Sequence, residues 1–102
     1  MLAQVSRDPA GRTEEELLTA CREISQWAEE NGLPAVAIAF AQAGALAAPA
    51  HAAAGFRVGQ IARDRAEYAR AETWFRRTIG LGRQAKDWAS YSEAFLGLGN
   101  LY

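Results

Sequence analysis

The sequence predicts an all-α fold of stacked antiparallel helical hairpins, with about five helices. Three observations predict it. Apolar residues recur at helical spacing, and no segment alternates convincingly with period two. Helix start and stop signals divide the chain into short rods joined by tight turns. Small residues also return at one fixed interval, the same from Ser25 to Gly59, from Ala28 to Ala62 and from Ala37 to Ala71.

The elements follow in chain order. Residues 1–12 are mixed and polar, with Asp8-Pro9-Ala10-Gly11 as a turn, and read as a flexible leader. Thr13 and Glu16 form a capping box, in which hydroxyl and carboxylate each accept from a free backbone N–H. Leu17, Cys21, Ile24 and Ala28 then share one helical face, flanked by Ala20 and Trp27. Asn31-Gly32 stops this helix, because both residues tolerate left-handed backbone angles. Pro34 suits the first turn of a second helix, where its missing N–H costs nothing, and Pro49 ends it. That helix is apolar nearly all round and is expected to lie between other helices. A third helix is expected from about Ala50 to Arg63, with a turn near Asp64–Ala66. A fourth runs from about Glu67 into Gly80-Leu81-Gly82, which weakens or ends it, and a fifth starts near Asp87 or Trp88.

The 102 residues suffice for one domain, and half of them are hydrophobic, which excludes a wholly disordered chain. Net charge is −1, so no overall pull toward nucleic acid or acidic membranes is expected. The distribution is uneven. Residues 1–56 carry three Arg against seven acids, and residues 57–87 carry eight bases against four acids. Solvated helix faces account for this pattern; so do head-to-tail attraction between copies and an acidic partner for the second half. Residues 31–56 are uncharged, but Asn31, Pro34, Gln42, Pro49 and His51 interrupt them, and no membrane span is expected. One cysteine, Cys21, cannot form an internal disulfide, and no secretory signal is visible, which suits a cytoplasmic protein.

Catalytic chemistry finds little support, and no enzyme activity, cofactor or metal site is expected. His51 is the only histidine and reads as a cap or turn residue facing solvent; no Cys/His cluster accompanies it. Cys21 reads as a small core residue. Gly80-Leu81-Gly82 and Gly97-Leu98-Gly99 do not complete a phosphate-binding G-x-G-x-x-G. Glu14–Glu16 and Glu29–Glu30 read as capped and solvated helix surface. Arg76-Arg77 beside Trp74 could touch an acidic ligand, but Glu72 lies one helical turn before Arg76 and can pair with it.

Phe95-x-x-Leu98-Gly99-x-x-Tyr102 and Tyr68-x-x-Ala71-x-x-x-Phe75 carry a family pattern, and the first copy keeps Ala37 and Pro49. In these residues the chain resembles the tetratricopeptide repeat over residues 18–102. The step from Gly59 to Gly99 is longer than the step from Ser25 to Gly59, so the resemblance is to the longer-period bacterial type. An ordinary antiparallel helix bundle gives similar periodicity.

The resemblance implies a flexible leader (1–12), hairpins at 13–49 and 50–85, and an unfinished third repeat at 86–102. Small residues at Ala37, Gly59, Ala71 and Gly99 would let the helices of a hairpin approach. Tyr68, Phe75, Phe95 and Tyr102 would fill gaps between hairpins. The implied function is a protein-protein interaction scaffold. A peptide or protein segment would lie in a concave groove over Arg22, Gln26 and Glu29, then Phe56, Gln60 and Arg63, then Leu96 and Asn100. The family's carboxylate clamp needs a Lys/Asn/Arg set that Arg22, Gln26 and Asn100 do not reproduce. The alternatives are a self-associating module, using the uncovered face at Phe95, Leu98 and Tyr102, and a helical fragment of a larger regulatory protein.

Overall fold

The computed structural model describes residues 13–101. These residues are all-helical and contain no strand: α1 Glu14–Glu30, α2 Pro34–Ala47, α3 Ala52–Asp64, α4 Tyr68–Ala85 and α5 Trp88–Gly99. The expected leader and Tyr102 lie outside them.

Local chemistry explains the boundaries. The Glu16 N–H donates to the Thr13 hydroxyl at 3.1 Å, as a capping residue requires. The second half of the expected capping box is different, because the Glu16 carboxylate accepts from the Thr13 hydroxyl itself at 3.3 Å. Gly32 takes φ +70 after α1, with Leu33 N–H bonded to the Ala28 carbonyl at 2.8 Å. The same wrapped turn recurs after α3. There Ala66 takes φ 59, and Glu67 N–H reaches the Ala62 carbonyl at 2.9 Å. A left-handed alanine costs about 1 kcal/mol relative to glycine, so the surrounding packing holds this turn. Asp87 caps α5, accepting from the Ser90 N–H at 3.2 Å and its hydroxyl at 2.7 Å. These two bonds, the side-chain one first, hold the Asp87 carboxyl below its ordinary pKa.

Each helix packs on the next, and α3 also touches α5. The described structure is thin, measuring 49 × 34 × 18 Å, and about two helix diameters account for its short dimension. The main core lies among α2–α5. Ile38, Ala41 and Ala45 of α2 meet Val58, Ile61 and Ala62 of α3, then Ala71, Trp74 and Phe75 of α4, with Ala94 and Leu101 closing the far side. Phe75 is fully buried. Its ring lies against Gly59 of α3 and Gly97 of α5, where an added Cβ would come within 2.5 Å and 3.0 Å of ring carbons. Two glycines thus form the slot for the largest fully buried side chain.

The first helix is attached differently. Its buried residues are Ser25 and Ala28, and the Ser25 hydroxyl donates to the Ala37 carbonyl at 2.7 Å. The packed stripe is Leu18, Cys21, Ser25 and Ala28, which keeps Cys21 and Ala28 of the expected face but has Leu18 and Ser25 in place of Leu17 and Ile24. Ile24 and Trp27 are exposed. Small residues decide which face packs, because Gly44 of α2 approaches Cys21 and Leu18 closely.

Three further expectations need correction. The second helix is not enclosed: Val36, Phe40 and Leu46 are exposed on it, because α1 and α3 cover only part of its circumference. The fourth helix runs through Gly80-Leu81-Gly82 to Ala85 and ends at Lys86, which takes φ 57. Gly82 is needed for close approach, since an added Cβ would lie 3.1 Å from the Asp87 carbonyl oxygen and the Tyr91 nitrogen. Gly80 meets nothing within 4 Å. Gly80→Ala is therefore expected to stabilise the fold by about 0.5–1 kcal/mol through backbone entropy, read as a higher urea midpoint at unchanged slope. Finally, Gly99 packs on nothing, and Tyr68 and Phe95 are exposed rather than filling gaps. For Gly99 and Phe95 the reason is that α5 has no partner helix on that side among the described residues.

Candidate functional site

The expected groove residues occupy three helices. On α1, Arg22, Gln26 and Glu29 are exposed and one turn apart. On α3, Phe56, Gln60 and Arg63 are half-buried. On α5, Leu96 is exposed and Asn100 stands at the C-cap, its N–H bonded to the Leu96 carbonyl at 3.0 Å. The α1 and α3 sets stand on helices with no α-carbons within 8 Å of each other, and among the described residues the hydrogen bonds between those helices come from Arg57, which belongs to neither set. The α5 pair does not reach α1, because those two helices make no contact.

Several of these side chains already have work within the fold. Phe56 packs on the core, with its ring 5.7 Å from that of Phe75. Arg63 lies 3.7 Å from Asp64, and Gln26 donates to Glu30 at 3.4 Å. Glu29 accepts from Arg57 at 2.5 Å. Among the described residues Arg22 has no ion-pair partner, and it stays open to an incoming group.

Arg57 is the residue that sequence reasoning missed. No α-carbon of α1 comes within 8 Å of one in α3, so side chains alone span the joint. The Arg57 guanidinium does so, donating to Glu29 and, at 3.3 Å, to the buried Ser25 hydroxyl. Both charges are partly solvated, so the pair adds about 1 kcal/mol at most. Its main effect is spacing. Arg57 Nε is buried without an acceptor among the described residues. The one available signal was position: Arg57 stands two positions before the glycine equivalent to Ser25.

The spacing leaves a cavity of about 190 Å³ at the joint of α1, α2 and α3. Leu18, Cys21, Phe40, Ala41 and Ala54 make its lining largely apolar, while Arg22, His51 and Arg57 supply its basic groups. No acidic residue lines it. The cavity is small beside the usual ligand pockets of about 300–1,000 Å³. It suits one apolar side chain with a neighbouring anionic group. His51 lies at the N-cap position of α3 but makes no capping bond, and it faces solvent as expected.

Elsewhere, Arg76 and Arg77 of α4 are engaged within the fold. Arg76 pairs with Glu72 at 3.2 Å, and the Arg77 guanidinium lies 5.3 Å from the centre of the Trp74 ring. Among the described residues no cluster of three or more His, Cys, Asp or Glu could hold a metal ion, and no helix is long and apolar enough to cross a membrane. The chain matches no protein-family model, no curated protein and no solved structure.

Proposed function

We propose that this chain is a tetratricopeptide-like interaction module that binds an extended protein segment across α1 and α3. The observation that carries the reading is the cavity between those helices, with an apolar lining and, at its rim, Arg22 beside the Glu29-paired Arg57. An apolar side chain of the partner enters the cavity. An adjacent carboxylate on the partner meets Arg22, whose planar fork suits that group.

The repeat reading has its own support. Equivalent positions of the first two hairpins have equivalent environments: Ala28 and Ala62 are buried, as are Ala37 and Ala71, and Gly32 and Ala66 both take the left-handed turn. Ser25 and Gly59 are points of close contact between the two helices of their respective hairpins. This is the expected behaviour of hairpins that stack because none can bury its apolar face alone.

Selection from a random peptide display library tests the function. Enriched peptides are expected to carry an apolar residue next to Asp or Glu. Binding is expected to fall at least tenfold in a pooled Arg22→Ala, Gln60→Ala, Arg63→Ala variant whose helical circular dichroism is unchanged. Recovery of no sequence preference, or equal binding by the variant, would remove the groove as the site.

A further inference from the structure

We propose that copies of this chain associate head to tail, the exposed face of α5 in one docking on the outer face of the α1/α2 hairpin in the next. Register supplies the first reason. Gly55 and Gly59 are the seat on which α4 lies across α3, with added Cβ atoms coming within 2.8 Å and 2.5 Å of Thr78 and Phe75. One repeat further on, α5 carries Phe95 and Gly99 at the same positions. Both are exposed, Phe95 by 58%. Trp88 adds to this face at 56% exposure, with Tyr91 between the two rings in contact with both. α5 thus presents a helix seat of aromatic and small residues, and no helix among the described residues occupies it.

The complementary surface is at the other end. Ile38, Ala41 and Ala45 turn α2 toward α3. The helical period then puts Val36, Ala43 and Ala47 on the opposite side, where all three are exposed. On α1, Ile24 and Trp27 are exposed beside them. This face is apolar and rich in alanine, which permits a helix to approach closely.

Charge selects the pairing. Glu16, Glu23 and Glu30, each two turns from the next, form one exposed stripe on α1 next to Trp27. Arg76, paired with Glu72 at 3.2 Å, and Arg83, two turns on, form an exposed stripe on the flank of α4 away from the Trp74 and Thr78 side that meets α3. Pairing like faces would set carboxylates against carboxylates or guanidiniums against guanidiniums. Pairing unlike faces sets three carboxylates beside Arg83 and the Glu72-paired Arg76 around an apolar centre. Such a contact is heterologous and leaves a free face at each end, so growth continues past the dimer unless a ring closes.

This association does not involve the groove, and two exposed-site variants test it. Phe95→Glu disables the α5 face, and Ala43→Glu disables the hairpin face. Sedimentation equilibrium of the unaltered chain is expected to show concentration-dependent species beyond a dimer. Each variant alone, with its helical circular dichroism intact, is expected to be monomeric. An equimolar mixture is expected to form a dimer and stop there, because each variant retains the face that its counterpart needs. A monomeric unaltered chain at the highest attainable concentration would overturn the proposal. So would an Ala43→Glu variant that dimerises by itself, since that contact would be α5 on α5.

Discussion

Replacing Phe75 by alanine is expected to lower the unfolding free energy by about 3–5 kcal/mol, the usual cost of emptying a buried aromatic site. Phe75 is fully buried and joins three helices, lying against Gly59 of α3 and Gly97 of α5 from its own place on α4. Relaxation cannot refill the space easily. The two facing residues, Gly59 and Gly97, have no side chains to move inward. A domain near this size has about 5–15 kcal/mol of stability in total. At about 4–8 °C per kcal/mol, thermal unfolding followed by circular dichroism should show a fall of tens of degrees. A loss under about 1 kcal/mol, the scale of a typical single substitution, would mean that the three helices are held together elsewhere.

Gly59→Ala is expected to destabilise the fold although alanine is the better helix former. Backbone propensity favours the substitution by about 1 kcal/mol. Packing opposes it. The new methyl would lie 2.5 Å from one carbon of the Phe75 ring and 2.6 Å from the next. A ring free to retreat would make this cheap, but Gly97 bounds its other side at contact distance. Overpacking of this kind costs about 1–3 kcal/mol, so the net effect should be a loss of stability, opposite in sign to Gly80→Ala. A double-mutant cycle with Phe75→Leu decides the cause. The Gly59→Ala penalty is expected to shrink when the smaller side chain is present, whereas a backbone effect would persist unchanged.

The contrast between Gly59 and Gly80 explains much of what was legible in the chain. Gly59 was recognisable because its environment recurs: Ser25 holds the equivalent place one repeat earlier, where it bonds to the Ala37 carbonyl. The turns were legible for a related reason. Asn31-Gly32 announces a left-handed residue, and Thr13 with Glu16 announces a helix start, because both act on backbone groups close by in the chain. Gly80 and Gly82 are not distinguishable by such local rules. Only the crossing of α5 over Gly82 makes one of them necessary.

Of the candidate site the sequence offered positions but not their surroundings. The family resemblance picked out Arg22, Gln26 and Glu29 on α1 and Phe56, Gln60 and Arg63 on α3. What those residues face depends on helix separation, which no local pattern encodes. Glu29 meets Arg57 because α1 and α3 stand apart, and that same distance opens the cavity. Leu98 shows the reverse. It was expected on an uncovered face with Phe95, but it packs against the core while Phe95 remains exposed. Three steps along a helix leave about 60° of rotation between side chains, enough to separate inside from outside.

By itself the sequence determined the helices, their turns and the positions where small residues recur, since these depend on near neighbours in the chain or on a repeated interval. The tertiary structure decided which face of each helix was covered. Coverage depends on what the neighbouring helix offers at the point of crossing: Gly44 receives Leu18 and Cys21 of α1, Gly59 and Gly97 admit Phe75, and the absence of a described helix over Gly99 leaves α5 with an open seat. Close packing is a property of pairs of surfaces, and only the assembled helices define the pairs.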